Sequence, residues 1–174
     1  MDARRGAKLV PRATRKKAPR YPTACDLDRV GRYPALAKTG GGYVWDDVLE
    51  YRVWCHPERG ARDLHNGDDY FFAFATYPKA LAFSRRTRGA EEPLALIRQR
   101  QYIDEPSPGR YIHMKKTRIA EWRVEWLQRP RRNRYTLADF FSPTAPENRL
   151  DIIRGLAKPS RSKKTTSRKR VVVN

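Results

Sequence analysis

Acidic side chains are nearly absent from the two ends of this chain. Residues 158–174 contain none and residues 1–20 contain only Asp2, against seven and eight lysines and arginines respectively. The two ends hold +14 of a formal net charge of +19, and residues 21–157 keep +5. Both ends are also poor in large apolar side chains, so burial cannot offset the entropy of ordering them, and they read as disordered basic tails. No apolar run approaches the roughly 20 residues that cross a bilayer, and neither tail has the bulky apolar face of an interfacial helix, which argues against a membrane partner. An apolar signal-peptide core is lacking, although the Arg-rich, acid-poor start suits an organelle-targeting segment.

Cysteine and histidine are scarce too. Two cysteines in 174 residues point to a reducing compartment. Cys25, Cys55, His56, His65 and His113 lack the paired ligands two to four residues apart that structural zinc sites use, so no metal is expected. Cys55 falls on the apolar face of its segment and reads as an inert buried thiol rather than a nucleophile. Phosphate-loop chemistry is missing as well: Thr39-Gly40-Gly41-Gly42 is followed by Tyr43-Val44-Trp45 and not by Lys-Ser/Thr, so the triplet reads as a hinge. The chain shows no internal repeat and no helix-turn-helix, zinc-finger or RNA-recognition signature.

What is present is a compact set of strand and helix patterns. After an arm and glycine hinge over 21–48, residues 49–157 form the body. Leu49, Tyr51, Val53 and Cys55 alternate with Glu50, Arg52 and Trp54, the pattern of a half-buried strand with one solvated face. Tyr70 to Ala75 is an unbroken apolar run expected at the centre of a sheet. It leads into a helix capped by Thr76, with Pro78 in its first turn and Ala80, Leu81 and Phe83 packed back on the sheet. Further strands are expected over 93–103, 111–116 and 118–127, with a turn over 104–109. Short helices are expected from Thr136 to Phe141, opened by a capping box, and from 147 to 157. The order strand, strand, helix, strand, strand, strand, followed by two helices, predicts one α+β domain built on a curved, mainly antiparallel sheet.

The basic residues gather in three clusters. Arg4, Arg5, Arg15, Lys16, Lys17 and Arg20 lie in the first tail, and Arg161, Lys163, Lys164, Arg168, Lys169 and Arg170 in the last. Arg129, Arg131, Arg132 and Arg134 lie within the body. Such clusters point to nucleic acid, RNA or DNA, held by its backbone with little base selection and no cofactor. Trp54, Tyr102 and Tyr111 are candidates for stacking on unpaired bases. The folded body is a further candidate to meet a protein partner. The expected location is cytoplasmic, with nucleic acid, for a bacterial or viral source, and the nucleus or an organelle for a eukaryotic one.

Two enzyme alternatives stand beside this reading. Arg52, Thr76 and Glu121 (or Glu125) follow one another on successive elements, and this order resembles the ADP-ribosyltransferase fold. That resemblance implies NAD, with Arg52 on the pyrophosphate and Glu121 on a ribose hydroxyl and the developing oxocarbenium ion. Separately, Tyr51-Arg52-Val53-Trp54, Phe74-Ala75-Thr76-Tyr77-Pro78-Lys79-Ala80-Leu81-Ala82-Phe83-Ser84, Ile103-Asp104-Glu105-Pro106 and Glu121-Trp122-Arg123-Val124-Glu125-Trp126-Leu127 resemble a small bacterial family sometimes labelled GCN5-related acetyltransferases. This second resemblance, over 51–127, implies acetyl-CoA held by backbone amides at a glycine-containing turn, for which Arg86-Thr87-Arg88-Gly89-Ala90 is the nearest stretch.

Overall fold

Strand β2, Asp47–Cys55, is the longest among the described residues and is buried along almost its whole length. The computed structural model describes residues 20–158, so the tail residues read above, Arg20 excepted, lie outside the described residues. The class is α+β, with a five-stranded sheet, a separate two-stranded sheet and three short α-helices among the described residues. In the larger sheet the order is β1 (Lys38–Thr39), β7 (Arg118–Arg123), β4 (Leu94–Gln99), β2 and β3 (Tyr70–Phe74). All neighbours are antiparallel except β1 and β7, which run parallel.

The alternation in β2 makes a strand, but neither face is left to solvent. Val48, Tyr51 and Val53 join Ala95, Ile97, Ala120 and Trp122 in the main core, closed over by Ala80 of helix α1 (Tyr77–Ser84) and by Val124 and Leu127. A bulge between Val48 and Glu50 turns Leu49 to the other face, where it packs with Tyr33 and Leu96. The expected solvated face is covered by the segment around Tyr33 to Ala35. Its carbonyls need donors once they are taken from water, and Arg52 supplies them.

Strand β3 is not central. Among the described residues it pairs with β2 alone and forms the sheet edge, with Phe72 exposed. Its aromatics cover one another instead: Phe72 and Phe74 meet Phe83 of α1, and Phe71 meets Trp54. The centre belongs to β4. Thr76 precedes α1 in extended backbone without a side-chain capping bond, and Pro78 does sit in the first turn.

The expected strand over 93–103 breaks after Gln99, and β5 (Tyr102–Ser107) starts a new hairpin with β6 (Arg110–Met114). Asp104 to Ser107 are therefore strand rather than turn, and the reversal is confined to Pro108-Gly109, where Gly109 has φ 79°. β7 stops at Arg123, and Val124–Gln128 coil into a 3-10 turn instead of extending the strand. The hairpin packs on α2 (Thr136–Phe141) and α3 (Arg149–Ile153) around Tyr102, Ile103, Leu137, Phe140 and Ile153. α3 is shorter than expected. α2 is opened by Asn133, whose side-chain oxygen accepts from the Tyr135 and Thr136 amides while its own amide donates to Thr136 Oγ1, so Thr136 closes a cap begun three residues earlier instead of opening one with Asp139.

The glycine triplet is tied down rather than hinge-like. Trp122 donates to the Gly41 carbonyl, Arg118 to that of Gly40, and Gln99 to those of Gly41 and Val44. Gly42 has φ 76°, and a Cβ there would fall 2.1 Å from the Gln99 amide nitrogen. Among the described residues no helix is long and apolar enough to cross a membrane.

Candidate nucleic-acid interface

The first turn into β2 places Asp46 and Asp47 beneath a group of arginines. Antiparallel register sets Asp47 opposite Arg98. Arg98 donates to Asp47 Oδ2 from Nε at 2.9 Å and from Nη2 at 2.7 Å, Arg100 reaches the same oxygen at 3.2 Å, and Arg131 reaches Oδ1 at 2.9 Å. Asp46 holds Arg132 at 2.6 Å and accepts the Arg100 backbone amide, while Arg131 Nε also donates to the Asp46 carbonyl. The two acids are buried, whereas the side chains of Arg100 and Arg131 are 60% and 61% exposed. Buried carboxylates thus hold exposed guanidiniums in a fixed fan. An open groove of about 410 Å³ runs along it, lined by Asp46, Asp47, Arg100, Arg131, Arg132 and Arg134.

The basic loop that delivers Arg131 to Arg134 is anchored on indoles. Trp45 Nε1 donates to the Arg129 carbonyl, and the Arg132 amide donates back to the Trp45 carbonyl. The Arg129 guanidinium lies 4.7 Å from the Trp126 ring centre and 5.3 Å from that of Trp122. Arg129 therefore holds the loop in place, Arg131 and Arg132 are shared with Asp46 and Asp47, and Arg134 lies over Tyr135 at 4.6 Å. Arg20 is exposed at the start of the described chain. The remaining tail cations, Arg4, Arg5, Arg15, Lys16, Lys17, Arg161, Lys163, Lys164, Arg168, Lys169 and Arg170, lie outside the described residues.

Burial pushes the Asp47 carboxyl up, but the Arg98 hydrogen bond and the charges of Arg98, Arg100 and Arg131 outweigh it and hold the group below its ordinary value. A depressed carboxyl contributes stability in full above the unfolded pKa, about 3.9 for aspartate, and loses it as the pH falls through the lower folded value. Asp47→Asn is therefore expected to melt below the parent at neutral pH. Melting curves taken down to about pH 3 should show the gap closing as Asp47 itself becomes protonated.

The candidate stacking aromatics are committed elsewhere. Tyr102 is buried, Tyr111 packs edge-on to Phe140, and Trp54 packs on Phe71 while donating to Glu121. Tyr135, which no pattern in the sequence singles out, is 55% exposed and lies under the guanidinium of Arg134, a residue of the groove lining.

Of the residues in the first enzyme alternative, Arg52 and Glu121 do meet, at 2.9 Å. Arg52 is fully buried and gives its five N–H groups to Glu50, Glu121 and the carbonyls of Tyr33, Pro34 and Ala35, with Phe71 stacked 4.2 Å away. No donor remains for a pyrophosphate, and Thr76 takes no part in those bonds. Glu125 is exposed beside Arg123. In the stretch considered for acetyl-CoA, Gly89 follows α1 and is pressed against the chain itself, since a Cβ there would lie 2.3 Å from the Ala61 nitrogen. Cys55 is fully buried, and burial pushes its thiol up, away from a nucleophile's range.

The acids that organise the groove escape the sequence reading. Their signal is two adjacent aspartates at the start of a strand whose antiparallel neighbour carries Arg98 and Arg100. No protein-family model, curated protein or solved structure matches this chain.

Proposed function

We propose that this protein binds nucleic acid along its phosphate backbone, with little base selection, through the arginine fan over Asp46 and Asp47 and the basic ends of the chain. The observation that carries the reading is the pairing of two buried carboxylates with the exposed Arg100 and Arg131 along one open groove. Guanidiniums held by such bonds have given up part of their side-chain freedom before a phosphate arrives, and their planar fork suits two phosphate oxygens at once. Arg134 adds a cation paired with no carboxylate among the described residues, and Tyr135 offers a ring to an unstacked base. The tail residues, including Arg15, Lys16, Lys17, Lys163, Lys164 and Lys169, add long-range attraction.

The test uses the full chain and fluorescently labelled duplex and single-stranded DNA and RNA. Replacing Arg100, Arg131 and Arg134 together by alanine is expected to weaken binding to every sequence alike. The slope of log affinity against log salt should flatten by about 0.9 for each duplex phosphate that the variant no longer neutralises, and by about 0.7 on single strands. A triple variant with the parent's affinity and slope removes the groove from the interface.

A further inference from the structure

We infer that His56, Glu58 and Asp69 form a binding site for a divalent transition-metal ion, independent of the arginine groove. The topology brings the three together. Register pairs Cys55 with Tyr70, so the residues just beyond, His56 and Asp69, leave β2 and β3 side by side. Pro57–Arg59 then coil into a 3-10 turn that returns Glu58 to the same spot. His56 Nδ1 lies 2.9 Å from Asp69 Oδ1 and 3.7 Å from Glu58 Oε1, and one donor atom from each residue falls within 4.8 Å of the others.

The histidine is the second and independent observation. It is 7% exposed, yet neither ring nitrogen completes a hydrogen bond, although Asp69 and Glu91 oxygens stand 2.9 and 3.1 Å from Nδ1 and Nε2. A buried imidazole with both nitrogens unsatisfied is costly, and a metal ion on Nδ1 removes that cost. The 2.9 and 3.7 Å separations bracket the roughly 3.3 Å expected between donors about 2.0–2.1 Å from a tetrahedral ion.

The surroundings support the same assignment. Nε2 faces Glu91 Oε1 at 3.1 Å, near enough that a small rotation of either group on metal binding would let this outer carboxylate accept the Nε2 proton and leave Nδ1 free as a donor. Arg59 in turn holds Glu91 at 2.7 Å and Glu58 at 3.3 Å. The carboxylates of Glu58, Asp69 and Glu91 against the Arg59 guanidinium leave a charge that one dication balances. The His56 backbone cannot drift: its amide donates to the Gly89 carbonyl, and its own carbonyl accepts from Arg59 and Ala61. One imidazole nitrogen and two carboxylate oxygens suit Zn²⁺ or Mn²⁺, and three protein donors leave a coordination position open to water or a phosphate oxygen.

Isothermal titration of the full chain with Zn²⁺, and separately with Mn²⁺, tests the site. The expected result is one ion per chain. Glu58 and Asp69 are 59% and 46% exposed in their side chains, so Glu58→Gln and Asp69→Asn are expected to keep the fold, as circular dichroism would show. Each should weaken binding at least about tenfold, and the pair should abolish it. Cys25→Ser, which removes the exposed thiol, should change nothing. Absence of one-to-one binding by either ion, retention of binding in the Glu58→Gln, Asp69→Asn double variant, or its loss in Cys25→Ser overturns the assignment. None of these outcomes bears on the nucleic-acid reading.

Discussion

Arg52→Ala is expected to lower stability by about 3–5 kcal/mol, enough to unfold many domains of this size, because it breaks a buried ion pair by removing one side only. Glu50 would be left with no guanidinium in a site with no access to solvent, and Glu121 would keep only the Trp54 indole. The carbonyls of Tyr33, Pro34 and Ala35 would lose their donor at the same time. This last point separates the network from ion clusters that can be exchanged for apolar side chains at little cost. Replacing Arg52, Glu50 and Glu121 together by Met and Leu would still orphan three backbone oxygens, so it should not restore the parent's stability. Arg52→Lys should fall between, since three ammonium donors cannot replace five fixed ones. Urea unfolding of the four proteins orders them directly. Equal midpoints for the parent and Arg52→Ala would mean that the network contributes nothing.

The second large effect concerns salt. A protein that neutralises six to ten phosphates loses about three to five orders of magnitude in affinity between roughly 50 and 200 mM salt. The full chain, with its +19 charge, is expected to show a dependence of that steepness toward both RNA and DNA. A version cut to residues 21–157, which keeps +5, should bind more weakly at low salt and show a shallower slope set by the groove alone. Fluorescence anisotropy across a salt series measures both. If the full chain ignores nucleic acid at low ionic strength, the proposed function is wrong. If the shortened chain binds equally well, the basic ends have no part in it.

Local signals carry the elements, and long-range ones decide their places. The period of two in Leu49 to Cys55 does make a strand, and Pro78 does open a helix, because both depend on a few adjacent residues. The apolar run from Tyr70 to Ala75 reads as a central strand, yet its aromatics cover one another and α1, so it is stable at the edge. Arg52 reads as solvated because alternation reports polarity and not what lies above it. The covering segment around Pro34 is nearly twenty residues away in sequence. The same limit hides the groove: the Arg129 to Arg134 loop is visible as a charge cluster, but its acidic anchors come from a strand more than eighty residues earlier. Spacing along the chain sets His56 only against cysteines and other histidines. Asp69, its neighbour across the sheet, becomes visible only when Cys55 is set against Tyr70.

Among the described residues strand β3 has a neighbour on one side only, so its other side offers backbone donors and acceptors to any passing extended chain. With Phe72 exposed there, this is the place where copies of the protein would begin to polymerise. The strand is five residues long and is entered through Asp68-Asp69, whose like charges would confront one another in an in-register stack. At this edge the charges that oppose stacking are two adjacent aspartates, opposite in sign to the large positive charge of the chain.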